Sequence, residues 1–194
     1  MTARIVKGLP DVLRQDAAKL YWEAFGGKLG KVMGPEPRAL EFLAIAMRAD
    51  HAFVAVDDRG TLLGIAGFSS VAGSFAGGTL ADLRGTYGRR GAAWRATLLN
   101  LLQSETGNER FMLDGICVAP AARGKGVGTM LLHALFDEGK ARHHEFARLD
   151  VADSNQRARA LYERHGFAAA GTKKLGLLRF VFGFATSTKM VRPL

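Results

Sequence analysis

Cysteine is nearly absent from this chain: Cys117 carries the one thiol among 194 residues. A single cysteine excludes a framework of internal disulfides. Long apolar runs are also missing, and no segment reaches the ~18 uninterrupted apolar residues of a membrane span. The first ten residues lack the apolar core of a secretory signal. These absences predict a cytoplasmic protein with no membrane partner.

Charge is not concentrated anywhere, although the net charge is +9. No block of five like charges occurs, so most of the basic residues are expected on a solvated surface. No nucleic-acid motif accompanies the charge, and a nucleic-acid partner is therefore not expected. Adjacent side chains such as His143 and His144 point apart, and no further ligand has metal spacing, so no metal is expected.

A glycine-rich stretch, Cys117 to Gly128, is the most informative segment that is present. It follows an apolar strand, and an amphipathic helix follows it. Its glycines alternate with Arg123, Lys125 and Val127, a spacing that fits neither a Walker A loop nor a dinucleotide fingerprint. Glycine permits close backbone approach, and a helix N-terminus favours anions, so the stretch predicts a pyrophosphate site. The alternative is an ordinary strand-to-helix turn.

A second segment, residues 154–167, places Asn155, Ala158 and Tyr162 at i, i+3 and i+7, on one face of a helix. Asp153 or Ser154 can cap its start. Gly166 can take the left-handed turn at its end.

Together these segments resemble the GCN5-related N-acetyltransferase (GNAT) family. Arg123, Gly126 and Gly128 match its Arg-x-x-Gly-x-Gly loop, and the later helix matches its Asn-x-x-Ala-x-x-Leu-Tyr motif followed by Gly-Phe. The resemblance implies an α/β (α+β) fold with a mixed, mostly antiparallel sheet, flanking helices and splayed central strands. One domain over residues 1–194 is expected, with about 70–109 as an enlarged connection between two strands.

Hydrophobic periodicity predicts the remaining elements. Strands are expected at 3–9, 51–56, 61–68, 111–118, 145–151 and 167–172, with closing strand structure at 178–184 and 186–191. Helices are expected from Pro10 to about Phe25, from Pro35, over about 92–104, and after the glycine-rich stretch to about Arg142, with a glycine-rich loop at 26–34. The first two helices are expected to bury Val12, Leu13, Leu20, Phe25, Leu40, Leu43, Ile45 and Met47.

The enlarged connection, residues 70–109, has two interpretations. Its helix either covers one edge of the sheet or forms a wall on the substrate side.

The family resemblance implies acetyl-CoA as co-substrate, held without a metal. Pyrophosphate would rest on the backbone around the glycines, and pantetheine would lie along the splayed strand. The positions implied are Ile116, Cys117, Val118, Arg123, Gly124, Lys125, Gly126, Val127, Gly128, Thr129, Asn155, Ala158 and Tyr162. Asn155 has two expected roles: it either binds the pantetheine arm or caps its own helix. Cys117 itself is expected to be a buried structural thiol on the face of Phe111 and Leu113.

Two residues are expected to act on protons. Tyr162 matches the family tyrosine that protonates the departing thiolate, and its alternative is a core tyrosine packed under Phe167. Asp114 alternates with Ile116 and Val118, so it is expected on their face, as a base or as a structural ion-pair partner. Glu23 is a weaker candidate for the base, and the amine could also arrive neutral.

The leading hypothesis is therefore an N-acetyltransferase that transfers acetyl directly to a primary amine of a small molecule, peptide or protein, with a homodimer allowed. The alternatives are a CoA-binding regulatory module of the same shape without turnover, and a basic protein that binds RNA or ribosomes. No aromatic-basic platform supports the last of these.

Overall fold

The computed structural model describes residues 2–102 and 111–194. Its strands are β1 (Arg4–Lys7), β2 (Ala52–Val56), β3 (Leu62–Ser70), β4 (Gly73–Ser74), β5 (Phe111–Val118), β6 (Phe146–Ala152), β7 (Ala168–Lys174) and β8 (Thr186–Pro193). Its helices are α1 (Arg14–Met33), α2 (Glu36–Ala46), α3 (Leu80–Leu102), α4 (Val127–Ala141), α5 (Gln156–Arg164) and α6 (Arg179–Phe182).

The strands form a single sheet in the order β1-β2-β3-β5-β6-β8-β7, with β4 paired to β3. All neighbouring strands are antiparallel except β5 and β6. That parallel pair is joined at Phe111–Ala147 and Met112–Arg148, and from Leu113 onward β5 has no ladder partner on β6. The mixed, mostly antiparallel sheet with splayed central strands is the predicted fold class, which is confirmed.

Helices cover both faces of this sheet. On one face, α4 buries Leu131, Leu132 and Leu135 completely against strands β3, β5 and β6. On the other face, α1 and α2 pack against β2 and β3 through residues that include Tyr21 and Leu43. A side chain of β5 therefore lies in one of two surroundings, either on the α4 side or on the α1 side of the sheet.

Helix α1 is longer than predicted, and the loop expected at 26–34 is wrong. The helix runs through Gly26, Gly27 and Gly30 to Met33. Each interior glycine costs a helix about 1 kcal/mol relative to alanine. Val32 and Met33 are nevertheless buried against α2 and α3, and this packing outweighs the propensity.

Two predicted core residues are exposed. Val12 is 87% exposed and Ile45 is 55% exposed. Val12 belongs to a 3-10 turn that precedes α1, so the helical period used to place it inward does not apply. Ile45 lies on the outer side of α2, whose inner side buries Phe42, Leu43 and Ala46.

Helix α3 begins at Leu80, twelve residues before the predicted start, and changes direction at Gly88, whose φ is +71°. Its residues Leu83, Tyr87 and Ala92 pack with the ends of α1 and α2. The Tyr87 hydroxyl donates a hydrogen bond of 2.6 Å to the carbonyl of Met33. The predicted end of this helix near Ser104 lies outside the described residues.

The apolar run 178–184 was expected as a strand, and that expectation is wrong. A 3-10 turn at 176–178 and helix α6 occupy it. One face of α6 is buried, with Phe182 fully inaccessible, while Phe180 is 62% exposed. Gly183, at φ +74°, ends the helix before β8, whose prediction at 186–191 is confirmed.

Candidate active site

The glycine-rich stretch forms a backbone cradle at the start of α4. Gly124 and Gly126 adopt φ values of +78° and +82°, and Gly126 is the N-cap of the helix. The first helical hydrogen bond runs from the N–H of Met130 to the carbonyl of Gly126, at 3.0 Å. The N–H groups of residues 127–129 therefore precede the helical ladder, and no side chain in the described part of the chain caps them. Such a terminus favours an anion.

Charged and polar side chains surround this cradle. The Nε of Arg123 donates to the carbonyl of Val118 at 3.1 Å, and its Nη2 lies 3.5 Å from Glu23 Oε1. Glu23, the weaker candidate for the base, is thus an exposed ion-pair partner of the loop. Lys125 is exposed beside the glycines. Thr129 Oγ1 lies 3.2 Å from Nε2 of His165, whose pKa is lowered mainly by burial.

The side chains expected along the cofactor path come together on the α4 side of the sheet. Ile116, Val118, Ala158 and Tyr162 all pack against the cluster around α4. A Cβ placed on Gly128 would lie 3.7 Å from both Leu161 and Val118, so the cradle, β5 and α5 meet there. The opening between β5 and β6 lies beside them.

Tyr162 packs its ring edge-to-face on Phe167, with centroids 5.7 Å apart. Burial, with a smaller effect of Cys117, raises the pKa of Tyr162 to about 12. A phenol that stays protonated can donate a proton. Among the described residues, the structure gives the Tyr162 hydroxyl no hydrogen-bond partner.

Asn155 caps α5, because its Oδ1 accepts a hydrogen bond of 3.2 Å from the N–H of Ala158. This is the second of the two roles expected for it. The contact leaves the side-chain amide group to be used elsewhere.

Asp114 lies on the opposite face from the predicted one. The β3–β5 ladder pairs Gly67 with Gly115 and Phe68 with Leu113, so Asp114 is an extra residue in a β-bulge. The bulge reverses the alternation of side chains beyond it. Ile116 and Val118 therefore face α4, whereas Asp114 lies on the α1 side.

Cys117 is displaced by the same bulge. It was expected on the face of Phe111 and Leu113, and it instead packs in the cluster of α1 and α2, with 2% of its surface exposed. Burial is the main cause that raises the pKa of its thiol to about 12. A buried, protonated thiol agrees with the expected structural role.

The carboxylate of Asp114 accepts three hydrogen bonds. Ser69 donates to Oδ1, and Oδ2 accepts from the Ser74 hydroxyl at 2.6 Å and from the N–H of Phe75 at 2.9 Å. Burial raises the pKa of Asp114, against the opposing effect of the three donors and of His51. The group is therefore a stronger base than an ordinary aspartate.

A pocket of about 290 Å³ opens at Asp114, on the α1 side of the sheet. Strands β5, β6 and β8 form its floor, α1 forms one wall, and α2, α3 and the segment after β4 complete it. The lining residues are Tyr21, Trp22, Phe25, Lys28, Leu29, Met33, Phe42, Leu43, Ser74, Ala76, Gly77, Leu99, Met112, Asp114, Asp150, Ala152, Phe184 and Ser187.

Most of these lining residues were missed by sequence reasoning. Lys28, Leu29 and Met33 fell in a predicted loop, and the helical period of α1 would have placed them on one side had the helix been extended. Arg148, Asp150 and Ala152 alternate along β6 with residues that pack in the α4 core, so they face the opposite side of the sheet. Its carboxylate forms an ion pair with Arg148, at 3.3 Å. Ser74 carries no motif of its own.

The sequence model of the acetyltransferase (GNAT) family matches residues 14–167. The chain belongs to the GNAT family. It is therefore an enzyme of the N-acetyltransferase type, and the family uses acetyl-CoA.

Individual relatives agree with this membership. The chain is 38% identical over 64 residues to a streptothricin acetyltransferase of Streptomyces lavendulae, a match that spans 33% of this chain and about a third (34%) of that relative. An N-acetyltransferase structure from Staphylococcus aureus Mu50 has a TM-score of 0.67 at 18% identity, covering 97% of this chain and 99% of the other. A GNAT structure from Kribbella flavida has a TM-score of 0.64 at 19% identity, covering 99% and 98%.

Within residues 2–102 and 111–194, no three His, Cys, Asp or Glu side chains are grouped so as to hold a metal ion. No helix there combines the length and the apolarity needed to cross a membrane.

Proposed function

We propose that this GNAT enzyme transfers an acetyl group from acetyl-CoA to a primary amine that enters the 290 Å³ pocket. One observation carries the proposal: strand β5 separates an anion cradle at the start of α4 from a pocket on the opposite face that contains Asp114. From Leu113 onward β5 and β6 share no ladder, and this splay would connect the two sides. A donor held on one side can then meet an acceptor on the other.

The residues at the cradle fit the donor. The N–H groups of residues 127–129 would bind the pyrophosphate, with the positive charges of Arg123 and Lys125 beside them. Residues 116–118 pair with β3 but have no ladder partner on β6, and this free edge would hold the pantetheine arm as an added strand. When bound, acetyl-CoA supplies an activated acyl group, which moves from sulfur to nitrogen in one transfer.

The proton of the acceptor ammonium would leave through Ser74 to Asp114. Ser74 lines the pocket and donates its hydroxyl proton to Asp114, so its oxygen lone pairs are available toward the pocket. The hydroxyl can accept a proton from the ammonium while it passes its own to the carboxylate. The raised pKa of Asp114 suits this role, since a general base works best with a pKa closer to the working pH.

Tyr162 would supply a proton to the departing sulfur. It lies on the α4 side with Ile116 and Val118, the residues proposed to hold the pantetheine arm. Its high pKa keeps the phenol protonated at neutral pH. The two proposed proton groups thus lie on opposite faces of β5, one toward each substrate.

We infer that the enlarged connection, about 70–109 within a single domain, acts as a wall of the acceptor site. Ser74, Gly77 and Leu99 all line the pocket. Of the two interpretations of this segment, the substrate-side wall is the one that these contacts favour.

Mixing the protein with acetyl-CoA and a panel of amines tests the proposal. We expect release of free thiol that depends on an amine, together with an N-acetylated product detected by mass spectrometry. Binding of CoA by calorimetry, without amine-dependent thiol release across the panel, would instead assign a CoA-binding module without turnover. A gel shift with RNA in the absence of CoA binding would contradict both.

A further inference from the structure

Lys28 is a partly buried cation for which the residues at 2–102 and 111–194 supply no counter-charge. It projects from α1 into the pocket wall, and burial lowers its pKa. Its Nζ lies 5.4 Å from the ring centre of Phe184 and 5.9 Å from that of Phe25. Among the described residues, no carboxylate lies within ion-pair distance of it. A partly desolvated ammonium in this position favours an anion supplied by a ligand.

The acidic groups of the pocket lie on a different surface. Asp114 on β5 and Asp150 on β6 line the floor formed by the sheet, whereas Lys28 belongs to the helical wall. Asp114 is held by Ser69, Ser74 and the Phe75 N–H, and Asp150 by Arg148. Neither carboxylate neutralises Lys28. The pocket therefore offers negative groups to one part of a ligand and a positive group to another.

The remaining lining is mainly aromatic and aliphatic. Trp22, Phe25, Leu29 and Phe42 from the helices, together with Phe184, supply apolar surface. A volume of about 290 Å³ stands at the lower limit of ligand pockets, which range over about 300–1,000 Å³. Such a pocket fits one small amphipathic molecule.

We propose, on the basis of the function proposed above, that the acceptor is a free amino acid with an aromatic or large aliphatic side chain. Its α-carboxylate binds the Lys28 ammonium, its amine lies toward Ser74 and Asp114, and its side chain fills the apolar part of the pocket. In the transfer an N–C bond forms and the C–S bond breaks. The ammonium loses two protons in succession by way of Ser74 and Asp114 to solvent, and the sulfur gains one from Tyr162, which takes a proton back from solvent. The net change releases one proton, and nothing is oxidised or reduced.

The test compares L-phenylalanine with L-phenylalaninamide, which has the same shape but no carboxylate. We expect kcat/KM for phenylalanine to exceed that for the amide by about 10- to 100-fold, the range of one charge-assisted hydrogen bond. Lys28→Gln should remove this preference by lowering the rate with phenylalanine alone. The matched control is Lys19→Gln, an exposed lysine on the same helix, which should keep the preference.

Equal or faster acetylation of the amide by the unmodified protein overturns the inference and leaves the proposed acetyltransfer intact. A Lys28→Gln variant that keeps its melting temperature and its preference for phenylalanine overturns it as well. Calorimetry of phenylalanine binding to the protein–CoA complex provides a reading that does not need turnover. Binding that weakens about tenfold or more in Lys28→Gln supports the Lys28 contact, and unchanged binding contradicts it.

Discussion

Replacing Asp114 by asparagine separates its chemical role from its structural one. The side-chain amide of Asp114→Asn has the shape of the carboxylate, and its oxygen can still accept from Ser74 and from the N–H of Phe75. The Ser69 hydroxyl can rotate and accept from the new NH₂ group. We therefore expect the free energy of unfolding at neutral pH to change by no more than about 1 kcal/mol.

Asp114→Ala is the structural comparison. It leaves three donors without their acceptor, and each buried donor without a partner costs about 1–3 kcal/mol. Because the two hydroxyls can turn toward other partners, we expect a total loss of about 3 kcal/mol in urea unfolding. A similar loss in Asp114→Asn would show that the carboxylate charge itself stabilises the fold.

The amide cannot accept a proton, so Asp114→Asn is expected to lower amine-dependent turnover about 100-fold at neutral pH. The rate should partly recover at high pH, where the acceptor amine arrives neutral. The measurement is a pH–rate profile of thiol release, with Asp58→Asn, an exposed turn residue, as the control. A profile identical to that of the unmodified protein would remove Asp114 from the mechanism.

The pKa shift also predicts a stability effect. Burial raises the folded-state pKa of Asp114 above its unfolded value of about 3.9, so folding favours the protonated carboxyl. This contribution is complete below the unfolded pKa and is lost as pH rises through the folded pKa. Over that window, the unmodified protein should lose stability relative to Asp114→Asn. A difference that stays constant with pH would show that the folded-state pKa is not raised.

Three further substitutions probe the cradle, the tyrosine and the extended helix. Gly126→Val places a branched side chain at φ +82° in the cradle. Calorimetry on the folded variant should show a CoA affinity at least about tenfold weaker. Unchanged CoA affinity would contradict the assignment of the loop to CoA binding. Tyr162→Phe keeps the packing of the ring on Phe167 but removes the hydroxyl, so kcat should fall about 100-fold while CoA affinity stays nearly unchanged. If kcat equals that of the unmodified protein and chemistry is shown to be rate-limiting, Tyr162 is a packing residue. Gly27→Ala adds a methyl group to open space inside α1 and should raise the unfolding free energy by about 0.5–1 kcal/mol; destabilisation would argue against helix at that position.

Elements with a clear period and clear boundaries were predictable from sequence. The strand expected at 111–118 is β5, Phe111–Val118, and the helix after the glycine-rich stretch ends at Ala141, one residue before its predicted end. In both elements, the local propensity, the hydrophobic pattern and the glycines at the boundary indicate the same secondary structure. The cradle at the start of α4 follows from the same agreement, although its role toward CoA stays a proposal.

The far end of α1 could not be predicted in this way, because its cause is tertiary. Glycines at 26, 27 and 30 indicate a loop by propensity, and the packing of Val32 and Met33 against α2 and α3 is visible only in the folded chain. The consequence for function is larger than the error in length. The extension brings Lys28 and Leu29 into the pocket. The proposed contact between Lys28 and the carboxylate of the acceptor therefore depends on a helical segment that the glycine content does not predict.

The position of Asp114 shows how one residue can decide where chemistry occurs. Phe111 and Leu113 face α4, so strict alternation along β5 would place Asp114, Ile116 and Val118 together on the α1 side. The extra residue of the bulge leaves Asp114 on the α1 side, in the proposed acceptor pocket, and turns Ile116 and Val118 toward α4. Gly67, opposite the bulge, permits this, because a Cβ there would clash with the ring of Phe75, whose N–H binds Asp114. A bulge depends on pairing between distant strands, so the residues of β5 alone do not encode it. The irregularity that the sequence does not predict thus puts the proposed base and the proposed cofactor path on opposite faces of one strand, an arrangement that suits direct transfer between two substrates.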